Sequence, residues 1–381
     1  MKILQIFSNW KWTGPAEHAL NLAINQQKAG HEVTFACAAP PPDQKESLLV
    51  CARERGVEPE TGFRLNKHFC LTDNLLDIPR MRSYLKREKF DVVHTHMPND
   101  HFVAGMALRS SLTRTALMRT CYDGEGVPRG PRSRTNFSLM TDGLITVSEQ
   151  TRRLILSRRY IGEQKVWKVD VPVDIGRFNP ETVVDNRAGL NLAPEAIVGG
   201  IVARVQTHRR FEVLLEALQM VISDFPGFRF MIIGRGTHIQ EIAVKPSQQM
   251  GIRTNLIFTG YKKEGFVSTL KCLSFKVFLV PGSDGACRAV REAMALGIPI
   301  IASRRGILPE LVENGKEGLI IDDTPENLRK AIMLLVEHPE LRRELAQNAL
   351  KKARQCFDPE VQTKLIEEIY EKVISRRFKK K

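Results

Sequence analysis

With 381 residues, 43% of them hydrophobic, the chain carries enough apolar material for two sizeable cores, which excludes disorder as its resting state. No run of about 20 apolar residues occurs, and Met1-Lys2-Ile3-Leu4-Gln5-Ile6-Phe7 leads straight into a strand, so neither a membrane span nor a secretory leader is expected and the protein is expected in the cytoplasm. Seven scattered cysteines without a C-x-x-C pair exclude a disulfide framework and a zinc knuckle, and the formal charge of +14 calls for an acidic partner: a phosphorylated substrate, an anionic membrane surface or nucleic acid. Nucleic acid is set aside, because stacking motifs and zinc-finger spacing are both missing.

In chain order, the first half alternates strand and helix signals. A strand at residues 2–8 is followed by a helix from Pro15 to Ala29, ended by Gly30, and a strand from Glu32 to Ala38. Apolar runs at Asp91 to His96, Ala116 to Cys121 and Gly143 to Val147 continue the pattern of a parallel sheet with crossover helices. Val171 to Pro180 reads as an irregular connection. The second half repeats this logic with strands at residues 197–204, 228–233, 256–259, 274–280, 298–302 and 318–321. From Pro359, Val361, Leu365, Ile369 and Val373 stand at helical spacing and predict a helix with one face on protein. The expected division is residues 1–175, residues 176–358 and a terminal helix with a basic tail, residues 359–381.

Chemistry concentrates between Val280 and Pro299. A buried strand runs into Asp284-Gly285-Ala286-Cys287-Arg288, and a helix closed by Gly297 follows, so the loop ends at a helix N-terminus, which attracts phosphate. Asp284 and Glu292 are spaced to take hydroxyls of a sugar and a ribose, while the amides between them face a phosphate. Earlier, Arg204 ends a strand and is followed by Arg209 and Arg210. His94, His96 and His101 beside Asp100 raise a metal reading, but no compact acidic motif accompanies them and strand-end histidines fit better.

The block from Asp284 to Pro299 resembles the signature of retaining glycosyltransferases of family 4. That resemblance implies an α/β chain of the GT-B fold, two Rossmann-like doubly wound domains facing across a cleft. It implies transfer of a sugar from a nucleotide diphosphate sugar to a glycan or lipid-linked acceptor with retention of configuration, and no metal or other cofactor. Arg204 and Arg209 then grip the diphosphate, Glu292 the ribose and Asp284 the sugar hydroxyls, with Gly285, Ala286, Cys287 and Arg288 lining the donor. Gly14 gives close backbone approach, Gly234 turns near the base, and Tyr261 adds to the donor site. Tyr122 occupies the place of a family histidine at the sugar; its phenol can donate a hydrogen bond but does not titrate near neutrality. The reacting centre is thus Asp284, Arg204, Arg209 and Tyr122. This chain departs from the family pattern at Asp284 (usually Glu), Ala286-Cys287 (Phe-Gly), Arg209 (Lys), Arg210 (Gly) and Pro15 (Gly). Those departures keep two alternatives open: a GT-B epimerase or sugar synthase, and a catalytically silent scaffold. The expected acceptor is a lipopolysaccharide-type or lipid-linked glycan of the cell envelope, met by a protein held peripherally at the inner face of the membrane.

Overall fold

The computed structural model describes residues 1–379 apart from 43, 45, 112, 261, 263 and 282–286, and the side chains of those residues apart from 132, 378 and 379. The chain divides into two compact units, Met1–Pro172 with Pro359–Lys381, and Val173–Asp358.

In the first unit, β1 (Lys2–Phe7), β2 (Glu32–Cys37), β3 (Val92–Thr95), β4 (Ala116–Cys121), β5 (Gly143–Thr146) and β6 (Val166–Lys168) form one parallel sheet in the order β2-β1-β3-β4-β5-β6. These strands read as continuous apolar runs because parallel sheets are covered on both faces. On one face Ile3, Val92, Met118 and Ile145 pack with Leu22 of helix Gly14–Lys28 and with Ile366, Ile369 and Val373 of helix Pro359–Lys379. On the other, Leu4, Ile6, Val93 and Leu117 meet Met81 and Leu85 of helix Leu71–Glu88 and Val103 and Ala107 of helix Pro98–Arg109. The three-residue β6 is too short for a period to show and escapes sequence reading.

The terminal helix corrects one expectation. Of the predicted stripe, Ile369 and Val373 are buried, but Val361 is 48% exposed and Leu365 36%; Ile366 and Tyr370 complete the buried face instead. Four residues turn a helix by about 400°, so a strict i, i+4 row winds around the axis and cannot hold one face for twelve residues.

The second unit repeats the architecture with β7 (Val198–Val202), β8 (Arg229–Ile233), β9 (Leu256–Gly260), β10 (Phe275–Phe278), β11 (Ile300–Ser303) and β12 (Gly318–Ile321), parallel in the order β12-β11-β10-β7-β8-β9. Strand order reverses between β7 and β10, and in doubly wound sheets the crevice beyond the carboxyl ends of such a pair is where ligands bind.

Candidate active site

The loops leaving β7 and β10 carry most of the predicted donor residues. Arg204, just beyond β7, is exposed and makes no side-chain hydrogen bond among the described residues. Arg209 donates through Nη1 to the carbonyl of Val280 at 2.6 Å, tying this loop to the end of β10. Arg210 turns elsewhere, to Glu212 at 2.7 Å and Asp323 at 3.5 Å. Gly234 ends β8 with φ 149°; a Cβ there would lie 2.1 Å from the carbonyl oxygen of Ala203, so the turn closes only on glycine. Asp284, Gly285, Ala286 and Tyr261 lie outside the described residues.

Cys287 is buried and stands at φ 44° immediately before helix Arg288–Ala295. Within that helix Arg288 reaches Glu292 at 3.0 Å, and Glu292 is only 5% exposed. Beneath them is a residue that sequence reasoning passed over. Lys276, in the middle of β10, is completely buried, and its ammonium donates to the carbonyl of Ala289. Burial pulls its pKa down to about 7, against the pull of the Glu292 carboxylate and the Cys287 thiol. One cation inside Phe275-Lys276-Val277-Phe278 was the available signal. Glu292 is therefore held by charge from its own helix and from the strand below.

Gly14 and Tyr122, also expected at a site, lie in the first unit. The Thr13 hydroxyl caps helix Gly14–Lys28 by accepting from the Ala16 amide at 3.4 Å, with Pro15 in the first turn, where its missing N–H costs nothing. A Cβ on Gly14 would meet nothing within 4 Å. In the loop before this helix, Trp12 lies against the Arg55 guanidinium at 4.9 Å, and Trp10 and Trp12 each join an apolar cluster, so they serve local packing. Tyr122, just past β4, has its hydroxyl 3.0 Å from His96 Nδ1. His96 Nε2 meets Gln5 Oε1 at 2.7 Å, and His94 meets Thr120 at 2.8 Å and the Tyr370 hydroxyl. His101 lies between Thr95 and Thr141, each at 2.8 Å. All three histidines are thus engaged in protein hydrogen bonds, and among the described residues no group of side chains is arranged to hold a metal. Burial drives His94 down to about 3 and His96 well below its ordinary value, so both are neutral.

Residues 184–352 match the family described as glycosyl transferases group 1, and residues 12–177 match glycosyltransferase family 4. The chain belongs to glycosyltransferase family 4. It is 28% identical over 324 residues to D-inositol 3-phosphate glycosyltransferase of Actinosynnema mirum, a match covering 82% of this chain and 75% of that one. Among solved structures, a glycosyltransferase from Rickettsia africae superposes with a TM-score of 0.83 at 14% identity, covering 98% of both chains. Anabaena HepE, solved in complex with UDP, gives 0.79 at 18% identity over 97% of this chain and 99% of that one. The fold of this glycosyltransferase is GT-B, with two Rossmann-like domains.

Two departures from the family pattern now have a backbone explanation. Arg210 (φ 60°) and Cys287 (φ 44°) stand where the family has glycine, and both adopt the left-handed conformation that glycine takes freely. The transferase has kept the turns and replaced the residues, at roughly 1–2 kcal/mol of strain each.

Gly234→Ala is expected to lower stability by about 2–4 kcal/mol, since backbone must move to admit the methyl group; Gly14→Ala, facing open space, should melt within a degree or two of the parent. Thermal unfolding of the two variants side by side checks this. A pH dependence follows from the neutral histidines. Their folded pKa values lie below the unfolded value of about 6.5, so the unfolded chain binds more protons in that window, and the stability they contribute is complete above it and lost as pH falls. Melting temperature should drop between about pH 6.5 and 4, and His94→Gln should flatten that slope in calorimetric scans.

Proposed function

We propose that the unit spanning residues 173–358 binds a nucleoside diphosphate sugar and that the enzyme transfers its sugar, with retained configuration, to a glycan or lipid-linked acceptor. The observation that carries this reading is the convergence of Arg204, Arg209 and the Cys287–Glu292 segment on the β7/β10 switch point. Arg204 and Arg209 supply positive charge for the diphosphate, and the start of helix Arg288–Ala295 supplies amides of the same sign. Glu292, braced by Arg288 and Lys276, accepts from the ribose hydroxyls. Asp284 is assigned to the sugar, and Tyr122 and Gly14 to the sugar and acceptor side. In the reaction, the bond from the anomeric carbon to the β-phosphate oxygen breaks as the acceptor oxygen bonds to the same face, and the acceptor proton passes to the departing phosphate. Preorganised cations that stabilise the departing charge are each worth roughly 10²–10³ in rate, which allows the step to proceed without a metal. UDP in the Anabaena complex supports a uridine nucleotide as the first donor to test.

Support for an acceptor at a membrane comes from one face of the first unit. Phe69 (46% exposed), Leu71 (61%), Leu75 (62%) and Leu76 (42%) crowd the start of helix Leu71–Glu88, with Lys67, His68, Arg80 and Arg82 exposed around them. Leu139, 59% exposed, lies on a π-helical turn that packs against helix Pro98–Arg109, as helix Leu71–Glu88 also does. Apolar side chains ringed by cations suit an anionic bilayer in a chain whose described helices are none of them long and apolar enough to cross one. The acceptor proposed is accordingly a lipid-linked or lipopolysaccharide-type glycan of a bacterial envelope.

Calorimetric titration with UDP and UDP-sugars is expected to give binding that Arg204→Ala and Glu292→Ala each weaken by about tenfold or more, since a charge-assisted bond to the ligand is worth roughly 1.5–3 kcal/mol. Equal affinity in parent and both variants would remove the donor assignment. Separately, the protein should sediment with anionic vesicles at low salt and not with neutral ones, and Leu71→Asp combined with Leu75→Asp should abolish sedimentation; equal recovery with both vesicle types would sink the membrane face.

A further inference from the structure

Tyr122 is surrounded by groups whose proton positions can be worked out from one another. Gln5 of β1 pairs in register with His94 of β3, so the two point to the same face, and His96 and Thr120 share it. Helices Gly14–Lys28 and Pro359–Lys379 cover that face, leaving Gln5, His94 and Tyr370 wholly buried, with His96 and Thr120 nearly so. The Gln5 amide oxygen can only accept, so His96 Nε2, at 2.7 Å, carries the proton. A neutral imidazole has one proton, which leaves Nδ1 bare to accept from the Tyr122 hydroxyl at 3.0 Å. On the other side, the Gln5 amide nitrogen donates to the Tyr370 hydroxyl at 3.2 Å and to Gln26 at 2.8 Å. An amide nitrogen cannot accept, so Tyr370 places its own proton on His94 Nδ1. His94 then carries its proton on Nε2 and donates to the Thr120 hydroxyl at 2.8 Å.

We propose that Tyr122, His96, Gln5, Tyr370, His94 and Thr120 form a one-way chain of hydrogen bonds whose first link consumes the only proton of Tyr122, so that its phenol oxygen meets a ligand hydroxyl solely as an acceptor. This overturns the donor role expected of that phenol from the sequence. Each bond in such a chain polarises the next, and breaking one leaves a buried group unsatisfied. His96 and Tyr370 are positioning residues: they orient Tyr122, and Tyr370 does so from the terminal helix, far along the chain. Tyr122 also lines a small pocket with His18, Val147 and Gln362, and with its proton spent on His96 its oxygen keeps lone pairs for a ligand. The ligand half of this inference rests on the proposed function; the chain of hydrogen bonds does not.

The two halves are tested separately. Long-range ¹⁵N NMR of the histidine-labelled full chain at pH 7.5 should show His94 and His96 both as Nε2–H tautomers. An Nδ1–H signal at either one overturns the chain. In Tyr370→Phe, which keeps the aromatic ring and deletes the hydroxyl, His94 should move to a tautomer mixture; an unchanged His94 signal in a folded variant also counts against the chain. With the UDP-sugar that supports turnover, Tyr370→Phe and Tyr122→Phe should each raise KM by about two- to tenfold, the scale of one hydrogen bond. Parent-like KM in both variants would overturn the ligand half while leaving the tautomers to speak for the chain. A parent protein that turns over no nucleotide sugar would defeat the proposed function and not the chain.

Discussion

Phe275 can lie beside β7 only because the residues facing it have no side chains. A Cβ on Gly199 would come within 2.8 Å of the Phe275 ring, and one on Gly200 within 2.5 Å of Leu273. With both positions bare, Phe275 pairs in register with Gly199 and stacks on Phe228 at 6.1 Å, and β7 and β10 close into parallel neighbours. That pairing is the constraint on which the candidate site depends. It sets the ends of the two strands side by side, brings the Val280 carbonyl within reach of Arg209, and fixes where the next helix begins. Large aromatics against glycines thus do in this sheet what a longer loop would do loosely.

Polar groups are buried in two different ways around these positions. In the first, neutral groups are joined into a network with a partner for each ring nitrogen, and burial reinforces it by keeping the imidazoles uncharged. In the second, charged groups are gathered: Lys276 is wholly buried under the helix, Glu292 nearly so upon it, and the largely solvent-facing Arg288 at its start pairs with Glu292. Burying an ion is expensive, and desolvation pulls the Lys276 pKa down to about 7 against the pull of the Glu292 carboxylate. An apolar residue in place of Lys276 alone would take away one of the charges beside a carboxylate that stays buried.

Much of this was legible because parallel strands buried on both faces announce themselves as apolar runs, and because Arg204 and Glu292 fall within motifs tied to strand ends and a helix start. What escaped has a physical reason in each case. β6 has only three residues, so no periodicity can mark it. The buried face of the terminal helix was misread because an i, i+4 row drifts around the axis, so that Tyr370 and Ile366 took the places given to Leu365 and Val361. Lys276 was absorbed into the strand around it. The proton of Tyr122 could not have been followed from the sequence, since Gln5, His96 and Tyr122 lie on or just beyond three different strands, which only the register of the sheet brings together.

Arg210 shows how charge near the site is apportioned. It stands where a glycine is usual and adds a third cation next to Arg209, which read along the sequence strengthens any phosphate site. In space its guanidinium is taken by Glu212 and Asp323, and Asp323 is shared with Arg305 at 2.9 Å. A cation already paired with two carboxylates has little field left for a ligand and would have to break those contacts to reach one. The positive charge facing the β7/β10 crevice then comes from Arg204, from Arg209 and from the amides at the start of helix Arg288–Ala295. Arg209 is tied to the Val280 carbonyl, whereas Arg204 is exposed and makes no side-chain hydrogen bond among the described residues, so on the proposed reading its guanidinium is the part of the site able to follow a departing diphosphate.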